Sequence, residues 1–163
     1  MFIPDTSNLL LRKQNIIKQS DLINTLSFKH LKEALEVVGL ITLTNHKETI
    51  TIDKVYGISM IYDFYYAFHD ENIMSEINVY YWEDYGHMID IKMNDGYVEI
   101  SDCHSMDKNV ITMDLGEFSN QFSRILATIY ELCFAVYYPT VEKLDFFESI
   151  EKMSQIELNW KKQ

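Results

Sequence analysis

Asp102-Cys103-His104 sets a thiol beside an imidazole, the pair that nucleophilic catalysis joins. The segment reads as the end of a strand, however, and successive strand residues point to opposite faces. Cys103 and His104 would not share a proton there, so Cys103 is expected to be a core cysteine. Cys133 falls on the apolar stripe of a long helix and reads the same way. No CxxC or paired spacing exists, which argues against a zinc ribbon or a disulfide framework. The five histidines (His30, His46, His69, His87 and His104) show no HxH, HExxH or HxxxH spacing, and no D-x-D-x-D-G loop is present. Neither a metal nor a cofactor is expected. Glu83-Asp84 pairs two carboxyls, but hydrolysis needs them held about 5–10 Å apart in a cleft. GxxxxGK[ST], GxGxxG and GxSxG are all absent, and no catalytic residue is assigned. The chain is expected not to be an enzyme.

The elements that would position these residues follow from periodicity. Residues 9–24 have a weak helical pattern. Ser27 as N-cap, Leu26 and Leu31 as a hydrophobic staple and Gly39 at the C-terminal turn predict a helix from Phe28 to Val38, with Phe28, Leu31, Leu35 and Val38 buried. The period then changes to two. Ile41 and Leu43, then Ile50 and Ile52, alternate with threonines on either side of Asn45–Glu48 and predict a hairpin. From Tyr56 to Phe68 every even position is apolar or aromatic, which predicts a strand, although Ile58, Ile61, Tyr62 and Tyr65 also fit a helix. Residues 76–82 and 88–93 alternate again, and Asp95-Gly96 is a type I′ turn sequence. Closing that turn pairs Met93 with Val98 and Ile91 with Ile100 on one face, and Lys92 with Glu99 and Asp90 with Ser101 on the other. A short strand at Val110–Met113 follows. Asp114 and Glu117 cap a helix whose stripe runs through Leu115, Phe118, Phe122, Ile125, Ile129, Leu132, Cys133 and Val136. Pro139 ends it, and Thr140 can cap a last helix with Leu144, Phe147, Ile150 and Met153 inward. The expected fold is a single α+β domain over residues 1–163. Its antiparallel sheet has about five to seven strands, with an N-terminal helix and two C-terminal helices packed on one face.

Charge says more about function than any motif does. Residues 63–102 hold ten Asp or Glu and one base, a net −9 within a chain of net −11, whereas residues 1–62 sum to +1. Nine aromatics lie in the same forty residues. Helices on one face of the sheet leave the other open, and the register gives that open face Glu76, Asn78, Tyr80, Trp82, Asp90, Lys92, Tyr97, Glu99 and Ser101. Tyrosine and tryptophan are frequent interface anchors, and acids around them steer a basic partner. The candidate partner-binding residues are Tyr80, Trp82, Glu83, Asp84, Tyr85, Asp90, Tyr97 and Glu99. A solvated sheet face or a self-association surface would share this pattern.

Several classes are disfavoured. The acidity repels nucleic-acid phosphates and anionic membranes, and the basic residues of the N-terminal segment are nearly cancelled by Asp21, Glu33 and Glu36. The longest wholly apolar stretch, Leu132–Tyr138, is far short of the ~20 residues a membrane helix needs. The opening MFIPDTSNLLLRKQNII is not expected to act as a signal peptide, and a cytoplasmic location is expected. In composition and architecture, though not in particular residues, the chain resembles bacterial immunity proteins and antitoxins. That resemblance implies an acidic protein that neutralises a basic, nuclease-type toxin by occluding its active site. The alternatives are a small cytosolic enzyme or a homodimeric structural protein, and the sequence leaves monomer or homodimer open.

Overall fold

The computed structural model describes residues 1–69, 76–80, 88–94, 96–102 and 109–155. The described elements run β1 (Phe2–Pro4), α1 (Thr6–Lys18), α2 (Ser20–Ile23), α3 (Phe28–Ala34), β2 (Val38–Thr44), β3 (Thr49–Tyr56) and α4 (Gly57–His69). They continue with β4 (Glu76–Tyr80), β5 (Met88–Asn94), β6 (Tyr97–Asp102), β7 (Val110–Asp114), α5 (Leu115–Tyr137) and α6 (Leu144–Ser154). The class is mixed α and β with antiparallel pairing throughout. The strands form two sheets, in orders β1-β2-β3 and β4-β5-β6-β7, and not the single sheet of five to seven strands that the periodicity predicts.

The difference has a local cause. Residues 57–69 form helix α4, where alternation predicts a strand. Ile58, Met60, Ile61 and Phe64 are all fully buried whereas Tyr66 is 63% exposed, a distribution that follows 3.6 residues per turn and cannot follow two. Tertiary contacts decide between the two periods. The Glu36 carboxylate receives the first backbone N–H groups of α4. Gly57 lets the start of the helix lie against α5, where a Cβ would sit 2.6 Å from the Ile129 methyl Cγ2. A helix at this point separates the strands before it from those after it, hence two sheets.

A second departure occurs just upstream. Helix α3 ends at Ala34 instead of continuing to Val38, and Gly39 lies in β2 instead of closing the helix. Gly39 is needed where β1 crosses β2, since a Cβ would collide with the Ile3 carbonyl oxygen and the Phe2 ring. Ser27 has the extended backbone of an N-cap, but its Oγ pairs with His30 Nδ1 at 2.9 Å and not with a helix N–H.

Both predicted hairpins form. Ile41 pairs with Ile52 and Leu43 with Ile50, all four buried. Ile91 pairs with Ile100, Met93 with Val98, Lys92 with Glu99 and Asp90 with Ser101. Ile91, Val98 and Ile100 are fully buried and Lys92 is exposed. Gly96 adopts φ +81°, which its lack of a Cβ permits, while Asp95 lies outside the described residues.

Asp114 caps α5 by accepting the Gly116 N–H at 2.7 Å. The stripe of α5 buries Phe118, Phe122, Ile125, Ile129 and Cys133 as its spacing predicts, together with Leu126 and Tyr137. In α6, Phe147 and Ile150 are buried as expected, but Leu144 is half exposed in the first turn and Phe146 fills the core instead. Lys143, not Thr140, occupies the N-cap position; its Nζ instead holds the Leu26 carbonyl at 2.6 Å.

One cluster of buried side chains spans both sheets and α4, α5 and α6. At the end of β2 the Gln121 side chain from α5 grips the backbone of Thr44 at both N–H and C=O. Next to it, Asn45 Nδ2 donates to the Thr112 carbonyl of β7 at 2.8 Å and ties one sheet to the other.

Candidate functional site: the open face of the four-stranded sheet

Alternation along each strand sends Ile89, Ile91, Val98, Ile100, Ile111 and Met113 to the core and leaves the intervening residues on the other face. Register sets these residues side by side. Glu76 pairs with Lys92 and Lys92 with Glu99; Asn78 pairs with Asp90 and Asp90 with Ser101; Asn94 pairs with Tyr97 and Tyr97 with Asp114. Tyr80 occupies a same-face position opposite Met88. Lys92, Asn94, Tyr97, Thr112 and Asp114 are exposed, and Asp90, Glu99 and Ser101 are half-buried. Tyr97 exposes 58% of its surface, so an aromatic ring stands on this face beside the acids Glu99 and Asp114.

Three carboxylates (Asp90, Glu99 and Asp114) share this face with the ammonium of Lys92, whose register position lies between those of Glu76 and Glu99. Opposite-charge cross-strand pairs add only a few tenths of a kcal/mol each, and one ammonium does not neutralise three acids. The net field is negative. Of the candidate partner-binding residues, register brings Tyr80, Asp90, Tyr97 and Glu99 onto one face. Trp82, Glu83, Asp84 and Tyr85 lie outside the described residues, as do Cys103 and His104.

Cys133 lies on the buried face of α5, and burial together with the nearby Glu36 carboxylate pushes its thiol pKa well up. It is a packing residue and not a nucleophile. Among the described residues no group of three or more His, Cys, Asp or Glu is placed to hold a metal ion. No helix among them is long and apolar enough to cross a membrane.

Two arrangements were missed by sequence reasoning. The first is Glu36, which is almost fully buried. Its Oε1 accepts from Val37 N at 3.2 Å and Ile58 N at 2.6 Å, and its Oε2 accepts from Ser59 N at 3.1 Å and Ser59 Oγ at 2.7 Å. Burial raises the pKa of this carboxyl, and the four donated hydrogen bonds oppose the rise. A lone acid inside the apolar run Leu35-Glu36-Val37-Val38 was the available signal.

The second is a cluster where α3 meets α4. Lys32 Nζ lies 4.8 Å from the centre of the Tyr62 ring, and Phe28 meets that ring edge-on at 6.0 Å. The neighbouring Asp63 has its pKa raised to about 6 by burial, against the pull of Lys32. A carboxyl with a raised folded-state pKa favours folding most below its unfolded value, and this contribution is lost as pH rises through about 6. Asp63→Asn is therefore expected to gain stability relative to wild type between pH 4 and pH 7, by about 1 kcal/mol once solvent screening is allowed for. Urea melts of both proteins across that range check this; a difference that does not change with pH would refute it.

No family model matches the chain, and no curated protein or solved structure matches it either.

Proposed function

We propose that the open face of the β4–β7 sheet binds a cationic protein, in the manner of an immunity protein or antitoxin covering the active-site cleft of a basic, nuclease-type toxin. The observation that carries this reading is the exposed Tyr97 on the same face as Asp90, Glu99 and Asp114, opposite the face on which Ile89, Ile91, Val98, Ile100, Ile111 and Met113 are buried. An aromatic ring supplies apolar area at low conformational cost, and carboxylates around it attract lysines and arginines and hold off anionic competitors. The concentration of −9 net charge in residues 63–102 supports the same partner chemistry. Glu83, Asp84, Trp82 and Tyr85 extend it in sequence.

The test begins with the native protein as bait at low salt and identification of any basic protein it retains. With that partner in hand, Tyr97→Ala is expected to weaken binding by about 2 kcal/mol, mainly through faster dissociation. Asp90→Ala with Glu99→Ala is expected to slow association, with the effect fading as salt rises from 0.01 M, where the Debye length is ~30 Å, to 0.15 M. Unchanged rates in all three substitutions would place the interface elsewhere.

A further inference from the structure

A cleft of about 520 Å³ lies where α1 and α2 meet the connection from α5 to α6. One of its walls is written into the sequence. Ile17, Ser20, Asp21 and Asn24 recur at i, i+3, i+4 and i+7, the spacing of a single helix face, carried across the break at Gln19. Pro139, Thr140 and Glu142 make the other wall, just past the end of α5. Asn24 ties the two together: its Nδ2 donates to the Thr140 carbonyl at 3.3 Å, and its Oδ1 accepts the Glu142 N–H at 2.9 Å. Next along the chain, Lys143 Nζ donates to the Leu26 carbonyl at 2.6 Å. The walls are therefore joined before anything binds, and little ordering is left for a ligand to impose.

The two walls carry matching chemistry. Each has one carboxylate (Asp21 or Glu142), one hydroxyl (Ser20 or Thr140) and one apolar side chain (Ile17 or Pro139). Ile17 is 52% exposed, so its apolar surface is open to a ligand. No Lys, Arg or His lines the cleft among the described residues. Lys18 follows Ile17 but lies 100° further round the helix, and the Lys143 ammonium is turned to Leu26.

These features select the ligand. An ammonium donates three hydrogen bonds and accepts none, so carboxylate and hydroxyl oxygens suit it. A free amino acid would bring a carboxylate with no base to receive it. A metal ion requires more ligands, and among the described residues no group of three or more His, Cys, Asp or Glu is placed to hold one. A single lysine side chain from another protein would meet one acid and leave the second unmatched.

We infer that this cleft binds an aliphatic diamine or polyamine, with one ammonium at each carboxylate–hydroxyl pair and the methylene chain against Ile17 and Pro139. It shares no residue with the open sheet face. Both acids are exposed, and exposed ion pairs are individually weak, so the dissociation constant is expected on the order of 1 mM at low salt.

Titration of the isotope-labelled full chain with diaminobutane and diaminopentane, followed by amide chemical shifts at about 0.02 M salt, tests this. n-Butylamine, which reproduces the end of a lysine side chain, and magnesium chloride at matched ionic strength are the comparison probes. The expected result is saturable shifts centred on residues 17–24 and 139–142, with n-butylamine binding about 5-fold more weakly and magnesium giving no saturable shift there. Asp21→Asn and Glu142→Gln are each expected to weaken diamine binding about 5-fold. Their thermal melts should match wild type, because both side chains already face solvent. Absence of saturable shifts up to about 10 mM diamine overturns the inference. So do shifts centred instead on Asp90, Glu99 and Asp114, which would reduce the effect to general attraction by an acidic chain. Equal affinity for n-butylamine would assign the cleft to a protein lysine, and equal shifts with magnesium would assign it to an inorganic cation; either overturns it. Unchanged diamine affinity in both variants would do the same.

Discussion

Glu36→Ala is expected to remove about 4 kcal/mol of folding stability, read as a lower urea midpoint at unchanged m-value. The carboxylate accepts four hydrogen bonds in a dry environment. Alanine leaves the N–H groups of Val37, Ile58 and Ser59 without an acceptor, and each buried donor stranded in this way costs about 1–3 kcal/mol. It also removes a negative charge from the N-terminus of α4, where the helix dipole favours one. The Ser59 hydroxyl can turn elsewhere, which keeps the total below the simple sum. Glu36→Gln is expected to lose roughly half as much, because its amide oxygen can still serve Val37 N and Ile58 N while its NH2 faces Ser59 N, donor to donor. An alanine variant within about 1 kcal/mol of wild type would show that α4 does not depend on this cap. A domain of ordinary stability has only about 5–15 kcal/mol in total, so the effect is large.

Phe122→Ala is expected to lose a similar amount, about 3–5 kcal/mol. The Phe122 ring is fully buried, stacks on Phe64 of α4 with centroids 4.8 Å apart, and touches Phe118 at 4.6 Å. Removing it deletes a stacked contact between α5 and α4 and leaves a cavity that two rigid aromatic neighbours cannot close. Phe122→Leu, which fills most of that space, should lose less than half as much. Thermal or urea melts of the two variants decide the matter; equal losses would mean that retained apolar volume cannot replace the stacked contacts of the ring.

The parts of the fold legible in the sequence were those with local instructions. The hairpin around Gly96 could be read to the residue because turn chemistry and two-residue alternation fix the same register. The long stripe of α5 and its Asp114 cap were legible for the same reason. Residues 57–69 were not, since their pattern satisfies both periods in part and the deciding group is a carboxylate 22 residues upstream of Ile58. Gly39 misled for a related reason. A glycine after an apolar helical run usually closes a helix, and only the passage of β1 across it shows that the space itself is what is needed. At the candidate site, the shared face of Asp90, Tyr97 and Glu99 was readable from alternation. The clustering of Lys32, Tyr62 and Asp63 was not, because α3 and α4 are brought together by packing that no local pattern records.

The remote cap on α4 also bears on how the chain folds. A helix whose first N–H groups are received by a side chain far upstream is not a self-starting unit, because its nucleus requires the α3–β2 connection to be in place already. Formation of α4 is thus tied to closure of a long loop, which raises the effective contact order of a segment that would otherwise count as local. The amide protons of Ile58 and Ser59 sit at what is ordinarily the fraying end of a helix. Held by Glu36, they are expected to exchange more slowly than helix-start amides ordinarily do, which native-state hydrogen exchange would read directly.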